Sequence, residues 1–441
     1  MRGRPACEGK TMAEQNIAVI GAGPKAAALA AKAYCLRQSG VPITVTIFER
    51  YDIGSAWSGR HGYTDGVQRL CTPAERDLGY PYLPTFGSEV AEQMQASFSW
   101  NAFQTSATLS SGRYAAWVNR GRRPPSHAEF TDYLKYALTL SEAPIHFGRV
   151  TGLSPADGSW TVQQVDAESR NIVEYDEFDA VVVTGPGPAT ARFPRVKDRR
   201  IFTGVDFWQR LVGVRKHMPR DPDKPIVIIG GGGTAAAITA WFIRNGLRDH
   251  PIHLINNQAM LFTRTTNFFE NRLFDDEETW TALADIDRKS FTRRLNRGVV
   301  WETVTDLLAD AEQLVLLPGK AKAIVHSIHR PGAHLPDIEV QYTNAKGESA
   351  IDAGLVIDAT GFDMGAFQSL LPKTMREAID AAGLDNLTED VRRDLSLPLD
   401  PWPRLHVPNL SETRGPGFGS LMVLGAMADR ILTPYVKAAT A

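Results

Sequence analysis

The feature that most constrains this chain is a strand, a tight glycine turn and a helix, written twice, first at Gly21 and again at Gly230. The first copy runs Ile17-Ala-Val-Ile20, Gly21-Ala-Gly23-Pro-Lys-Ala26, an alanine-rich helical stretch and a second apolar strand over 43–49. The second runs Ile226-Val-Ile-Ile229, Gly230 to Gly233 with Thr234-Ala235, a helix around 236–245 and a strand over 252–255. Each reads as a parallel βαβ unit. Two such units predict an α/β chain with two dinucleotide-binding Rossmann-like domains. The length of 441 residues is too great for one ordinary domain, and 43% hydrophobic content with 22% charge allows a sizeable core.

Two more apolar strands frame the second copy. Residues 178–183 lead into Thr184-Gly-Pro-Gly-Pro188, and 355–357 lead into Asp358-Ala-Thr360-Gly361. A stretch rich in proline and charge, 219–225, reads as a linker. The resulting expectation is an FAD-binding domain in two parts, 13–204 and 352–441, the latter carrying substrate-site elements. A nicotinamide domain, 205–351, is inserted between them. Residues 1–12 lack the apolar core of a secretion signal and read as a short leader.

Gly21, Gly23 and Ala26 give G-x-G-x-x-A between strand and helix. The first glycine permits the turn and the second lets a pyrophosphate approach the backbone. The small third residue allows close helix–strand packing. A diphosphate then meets the free N–H groups of the helix N-terminus. Glu49, at the end of the next strand, is placed to accept hydrogen bonds from a ribose, and with one site per cofactor this copy is read as the FAD site. Gly230, Gly232 and Ala235 repeat the pattern with Thr234 between them. Here Asn256 and Asn257 stand where an acid would favour NADH. Arg264 is near enough in sequence to serve a 2′-phosphate of NADPH, or to stand as a solvated surface arginine.

A formal net charge of -2 argues against a nucleic-acid or membrane-surface partner, and no apolar run is long enough to span a bilayer. Cys7, Cys35 and Cys71 form no C-x-x-C, which excludes a redox dithiol and a cysteine zinc site and fits a cytoplasmic setting. The ten histidines form no H-x-x-x-H pair, so no metal is expected.

The two glycine motifs, the Ala359-Thr360-Gly361 segment and the missing dithiol resemble the class B flavin monooxygenases. Further stretches narrow the resemblance to the N-hydroxylating branch. These are Phe48-Glu-Arg50 leading to Trp57, Pro125-Ser-His-Ala-Glu-Phe130, Phe268-Phe-Glu-Asn271 with Leu273-Phe274, Asn296-Arg-Gly-Val-Val300 and Gly415-Pro-Gly-Phe418. From about residue 15 onward the chain looks most like the lysine N6-hydroxylases of mycobactin- and nocobactin-type siderophore pathways. Close stretches include His61-Gly-Tyr-Thr-Asp-Gly66, Ser99-Trp100 and Leu261-Phe-Thr-Arg264.

That resemblance implies FAD, NADPH and O2 as reactants with L-lysine. NADPH reduces the flavin, a C4a-hydroperoxyflavin forms, and the neutral side-chain amine takes its distal oxygen. It also implies that Asn271 holds the substrate near the flavin, and that Asn296 contacts NADP+ or simply caps a helix before Gly298. Arg76 stands where the family usually carries a lysine, pairing with the substrate carboxylate or the nicotinamide side. It could instead pair with Glu75 or Asp77 at the surface. Trp57 packs beside the flavin or in the core. A family serine near the flavin tail is replaced by Met422, whose role stays unassigned. Relatives commonly form dimers or tetramers, so a homo-oligomer is an open expectation. The same reaction on L-ornithine or another primary amine, and an NAD(P)H-dependent flavin reductase, are the alternatives.

Overall fold

The computed structural model describes residues 13–106, 112–190, 192–246, 250–258, 260–263, 267–296, 299–300, 302–327 and 337–440. Short apolar runs become buried parallel strands, because a parallel sheet covered on both faces leaves no polar side. The larger sheet has seven strands. Arg404–His406, Ala180–Val183, Gln15–Ile20, Ile43–Glu49 and the start of Ile145–Ala156 run parallel in that order. An antiparallel extension, Ser159–Asp166 and Ile172–Phe178, completes it. The smaller sheet has five parallel strands in the order Leu314–Pro318, Ile252–Asn256, Ile226–Ile229, Leu355–Asp358 and Ile201–Thr203. A three-stranded antiparallel sheet, Lys320–His326, Ile338–Asn344 and Gly347–Ala353, packs on it through Ile324, Ile338 and Val340.

This topology corrects two details of the sequence reading. Leu355–Asp358, assigned above to the second FAD segment, is hydrogen-bonded inside the smaller sheet, between Ile226–Ile229 and Ile201–Thr203. The strand Ile201–Thr203, assigned to the first segment, belongs there too. Residues 219–225 are accordingly a loop within the smaller lobe rather than a linker between lobes. Lys224 pairs with Asp337 at 3.2 Å, and Pro219 lies against Gly354. The physical reason is general: a short apolar run fits either parallel sheet, and only the chain path selects one.

In the larger lobe the helix Pro24–Gln38 buries an alanine-rich surface against the strand Ile43–Glu49 and the C-terminal helix Leu424–Thr440. Small side chains let the backbones approach closely. Across that contact Lys32 Nζ meets Asp429 Oδ1 at 2.7 Å, both side chains at most 5% exposed. Among the described residues no helix is long and apolar enough to cross a membrane.

His406 makes the lobe acid-sensitive. It is fully buried, with Nδ1 2.8 Å from the Asp394 carbonyl and Nε2 2.7 Å from the Tyr435 hydroxyl, and burial lowers its pKa to about 4. A folded pKa below the unfolded value near 6.5 means that acid protonates the unfolded chain first. The stabilisation is complete above pH 6.5 and fades as pH falls towards 4, by up to about 3 kcal/mol. Asp77 acts in the opposite sense, because burial raises its carboxyl to about 6 and folding then favours its proton between about pH 4 and 6. Because the two slopes oppose each other, the expected result is a difference: in denaturant titrations the stability advantage of the wild-type protein over His406→Gln should shrink as pH falls from 8 to 4.5. Parallel curves for the two proteins would refute the assignment.

Candidate functional site

At the first glycine turn Gly21 has φ +101°, and a Cβ there would lie 2.7 Å from Thr184 Oγ1. The Thr184 hydroxyl itself donates to the Ile20 carbonyl at 2.8 Å, so the turn is wedged between neighbouring strands. Gly23 caps Pro24–Gln38 without any side chain accepting from the first helical N–H groups, and a Cβ on Gly23 would meet nothing within 4 Å. The helix N-terminus thus faces open space with unsatisfied donors. Ala26 is fully buried at the third small position.

Glu49 sits beneath this turn. Its Oε2 accepts from Ala22 N–H at 2.7 Å, and Oε1 accepts from Tyr51 N–H at 2.9 Å and the Ser55 hydroxyl at 3.1 Å. A carboxylate has about four acceptor sites, so capacity remains for a ribose hydroxyl. Sequence reasoning missed Lys25. The Lys25 ammonium donates to Asn409 Oδ1 at 2.9 Å, and Asn409 Nδ2 donates to the carbonyls of Thr184 and Gly185. A cation at a helix N-terminus opposes the helix dipole, and here its side-chain partner is a neutral amide. Desolvation lowers its pKa to about 8. Uncapped N–H groups, an open glycine face and this ammonium together fit an anionic diphosphate. The visible signal in the sequence was a lysine where acidic residues are the rule.

The second turn repeats the geometry. Gly230 has φ +126° and a Cβ there would strike the Ala359 carbonyl at 2.5 Å, while a Cβ on Gly231 would overlap the Asn256 side chain. Gly232 caps Gly233–Arg244 without a side-chain acceptor, Ala235 is fully buried, and the Thr234 methyl packs against Gly204. Asn256 ends its strand with Nδ2 donating to the Met260 carbonyl at 3.1 Å. Thr360 Oγ1 donates to Asp358 Oδ1 at 2.7 Å, and Arg195 holds the other carboxylate oxygen at 3.3 Å. Gly361 follows with φ +127°, facing Arg192. Arg264 lies outside the described residues, as do the Asn296 side chain and residues 1–12.

Arg76 is nearly buried and does not pair with Glu75 or Asp77. Its Nη1 donates to the Met422 carbonyl at 3.0 Å, Nη2 lies 3.4 Å from Asp275 Oδ2, and the guanidinium stacks over the Tyr80 ring at 4.6 Å. Asp77 is occupied elsewhere, accepting from the Tyr82 hydroxyl at 2.6 Å and Trp100 N–H at 2.8 Å. The Tyr80 hydroxyl donates to Asp275 Oδ2 at 2.5 Å, and burial followed by that bond raises its pKa to about 12. Met422, unassigned from sequence, contributes through its backbone carbonyl.

Asp275 ends the helix Phe268–Asp275, which carries Asn271 one turn earlier on the same face. Asn271 is half-buried, and its side-chain amide has no hydrogen-bond partner among the described residues. Glu270 of this helix pairs with Arg294 at 2.5 Å, and Phe274 packs on Phe291. These contacts tie it to Asp285–Asn296, so both asparagine-bearing helices rest against the larger lobe's core. Trp57 is half-buried, its ring edge-on to His127 at 4.9 Å and Phe130 at 5.5 Å. Among the described residues neither Cys35 nor Cys71 is in a disulfide, and burial pushes the Cys35 thiol up to about 12.

Two open helix N-termini on two parallel sheets, with a polar cluster against the larger lobe's core, define a two-dinucleotide-fold enzyme. Residues 97–364 match the family model for L-lysine 6-monooxygenase/L-ornithine 5-monooxygenase. The chain is 33% identical over 429 residues to the L-lysine N6-monooxygenase MbtG of Mycobacterium sp. (strain MCS), covering 95% of this chain and 94% of that one. Its counterpart in Mycobacterium tuberculosis (strain ATCC 25618 / H37Rv) is 32% identical over the same shares. Among solved structures, lysine monooxygenase NbtG from Nocardia farcinica superposes with a TM-score of 0.77 at 29% identity, covering 95% of this chain and 99% of that one. The chain belongs to the L-lysine 6-monooxygenase/L-ornithine 5-monooxygenase family.

Proposed function

We propose that this protein uses FAD, NADPH and O2 to hydroxylate the side-chain nitrogen of L-lysine, in the cytoplasm, for a hydroxamate siderophore. The observation that carries the reading is the Asn271 helix delivering Asp275 to Arg76, within a chain one-third identical to lysine N6-monooxygenases over nearly its whole length. The balanced reaction converts RNH2, O2, NADPH and a proton into RNHOH, water and NADP+. The flavin, when bound, supplies the activation of oxygen.

The chain's own residues bind, orient and exclude water. Gly21, Gly23, Ala26 and Glu49 hold FAD at the first turn, with Lys25 facing its diphosphate and Trp57 flanking it. Gly230, Gly232, Thr234 and Ala235 hold NADPH, with Arg264 serving its 2′-phosphate, and Thr360 and Gly361 add to cofactor binding. Asn296 contacts the nicotinamide cofactor. Arg76 receives the substrate carboxylate and Asn271 orients the amine without adding charge. That amine must react unprotonated, because an ammonium has no lone pair; its pKa in water is near 10.4. A neutral amide beside it favours the neutral form where a carboxylate would favour the ammonium.

Hydroxylamine detection after incubation with NADPH and O2 tests the substrate, with L-lysine, L-ornithine and cadaverine in parallel. Product from another amine and none from lysine would overturn the proposal. The cofactor site has its own test in Gly23→Ala. Since that methyl meets no protein atom, unfolding free energy should change by less than about 1 kcal/mol. FAD affinity, read from flavin fluorescence, should weaken about tenfold or more as the backbone loses its close approach. Unchanged affinity would place the diphosphate elsewhere.

A further inference from the structure

Asp275 has a duty that its pairing with Arg76 only partly describes. Its Oδ2 is shared between Arg76 Nη2 and the Tyr80 hydroxyl, and its side chain remains 18% exposed. It also lines a cavity of about 830 Å3, together with Leu273, Phe274, Phe418, Ala426 and Arg430, while Arg76 and Asn271 lie outside that lining. A counter-ion whose sole purpose was structural would need no opening beside it. The Arg76–Asp275 pair is net neutral and nearly buried. A substrate carboxylate added to Arg76 alone would leave two anions around one guanidinium, at a desolvation cost the pair cannot offset. A zwitterion avoids this, because its ammonium arrives with its carboxylate.

The geometry points to Asp275 as the residue that receives the substrate's α-ammonium while Arg76 takes the α-carboxylate, so that the site selects a free α-amino acid head group. This rests on the reading of the Asn271 helix as the substrate helix. The spacing agrees. One helical turn from Asn271 to Asp275 rises about 6 Å, and the five bonds from Cα to Nζ of lysine, about 1.5 Å each in zigzag, span about the same. With its head group at Asp275 and Arg76, lysine places its side-chain nitrogen level with Asn271. An Nα-acylated lysine carries no cation for Asp275. 6-Aminohexanoate, which is lysine without its α-amine, brings an uncompensated anion.

The test compares L-lysine, Nα-acetyl-lysine and 6-aminohexanoate on the holoenzyme and its Asp275→Asn variant. Binding is measured calorimetrically with oxidised flavin, and turnover as hydroxylamine formed. The wild-type protein should bind lysine about tenfold or more tighter than either analogue, the size of one charge-assisted hydrogen bond. In Asp275→Asn the lysine advantage should vanish, through weaker lysine binding, while 6-aminohexanoate binds as well as before or better. Equal weakening of lysine and 6-aminohexanoate would mean that Asp275 merely positions Arg76, and would overturn the proposal. So would a wild-type protein that does not distinguish them. Binding discrimination without hydroxylamine from lysine would uphold this inference and overturn the reaction assigned above. Tyr80→Phe, which frees one bond to the same oxygen, should keep the preference for lysine over 6-aminohexanoate. Its loss would also count against the proposal.

Discussion

Replacing Asn271 with alanine should lower hydroxylamine formation from L-lysine by about 100-fold while NADPH oxidation changes by less than about threefold. The first figure is the usual cost of losing the orientation of a reacting group. The second follows from where Asn271 sits. Its half-buried amide bonds to nothing else among the described residues, so removing it leaves the helix caps, the Glu270–Arg294 pair and the Phe274–Phe291 contact in place. NADPH oxidation and oxygen consumption should continue, with hydrogen peroxide replacing hydroxylamine as product. Asn271→Asp separates orientation from charge. A carboxylate there would hold the substrate nitrogen as an ammonium, so its rate should stay low and recover only as pH rises. A parallel loss of NADPH oxidation in Asn271→Ala would move the residue from the substrate to the cofactor.

Gly21→Ala should be strongly destabilising. Two independent penalties coincide at this position. A residue other than glycine at φ +101° carries backbone strain of about 1 to 2 kcal/mol. The new Cβ would also lie 2.7 Å from Thr184 Oγ1, which is fixed by its own bond to the Ile20 carbonyl. Together these should cost about 3 kcal/mol or more and yield protein purified without flavin. Adding Thr184→Ala removes the clash and leaves the strain, so the double variant should regain roughly half of the lost stability. Chemical denaturation of all four proteins gives the coupling energy directly. Strict additivity would show that the two residues do not touch as described.

Much of this architecture was legible in local sequence, because the glycine turns dictate their own backbone. Gly21 and Gly230 need φ above +100°, and Gly23 and Gly232 mark the open helix starts that follow. The assignment of Leu355–Asp358 to a sheet was not legible. Its buried neighbours are apolar in either sheet, so nothing in the run Leu-Val-Ile-Asp distinguishes them. The candidate site divides the same way. Asn271 could be read from its surrounding run, whereas Arg76 meets its carboxylate 199 residues away and Lys25 meets Asn409 across 384. Pairings at that distance leave no periodicity in the chain. Only Lys25, a cation where a helix start prefers an anion, carried a trace of its role beforehand.

The Lys25–Asn409 contact also has a meaning in time. The amide that steadies the lysine beside the first glycine turn is synthesised 384 residues after that lysine. At roughly 5 to 20 residues per second, that interval is about 20 to 80 seconds. Strand Arg404–His406 and the helix bearing Asp429, which close the same lobe, are made at about the same point in the chain as Asn409. The surroundings of the first glycine turn are therefore completed only once those distant segments are made, and a nascent chain must shelter its alanine-rich first helix until then.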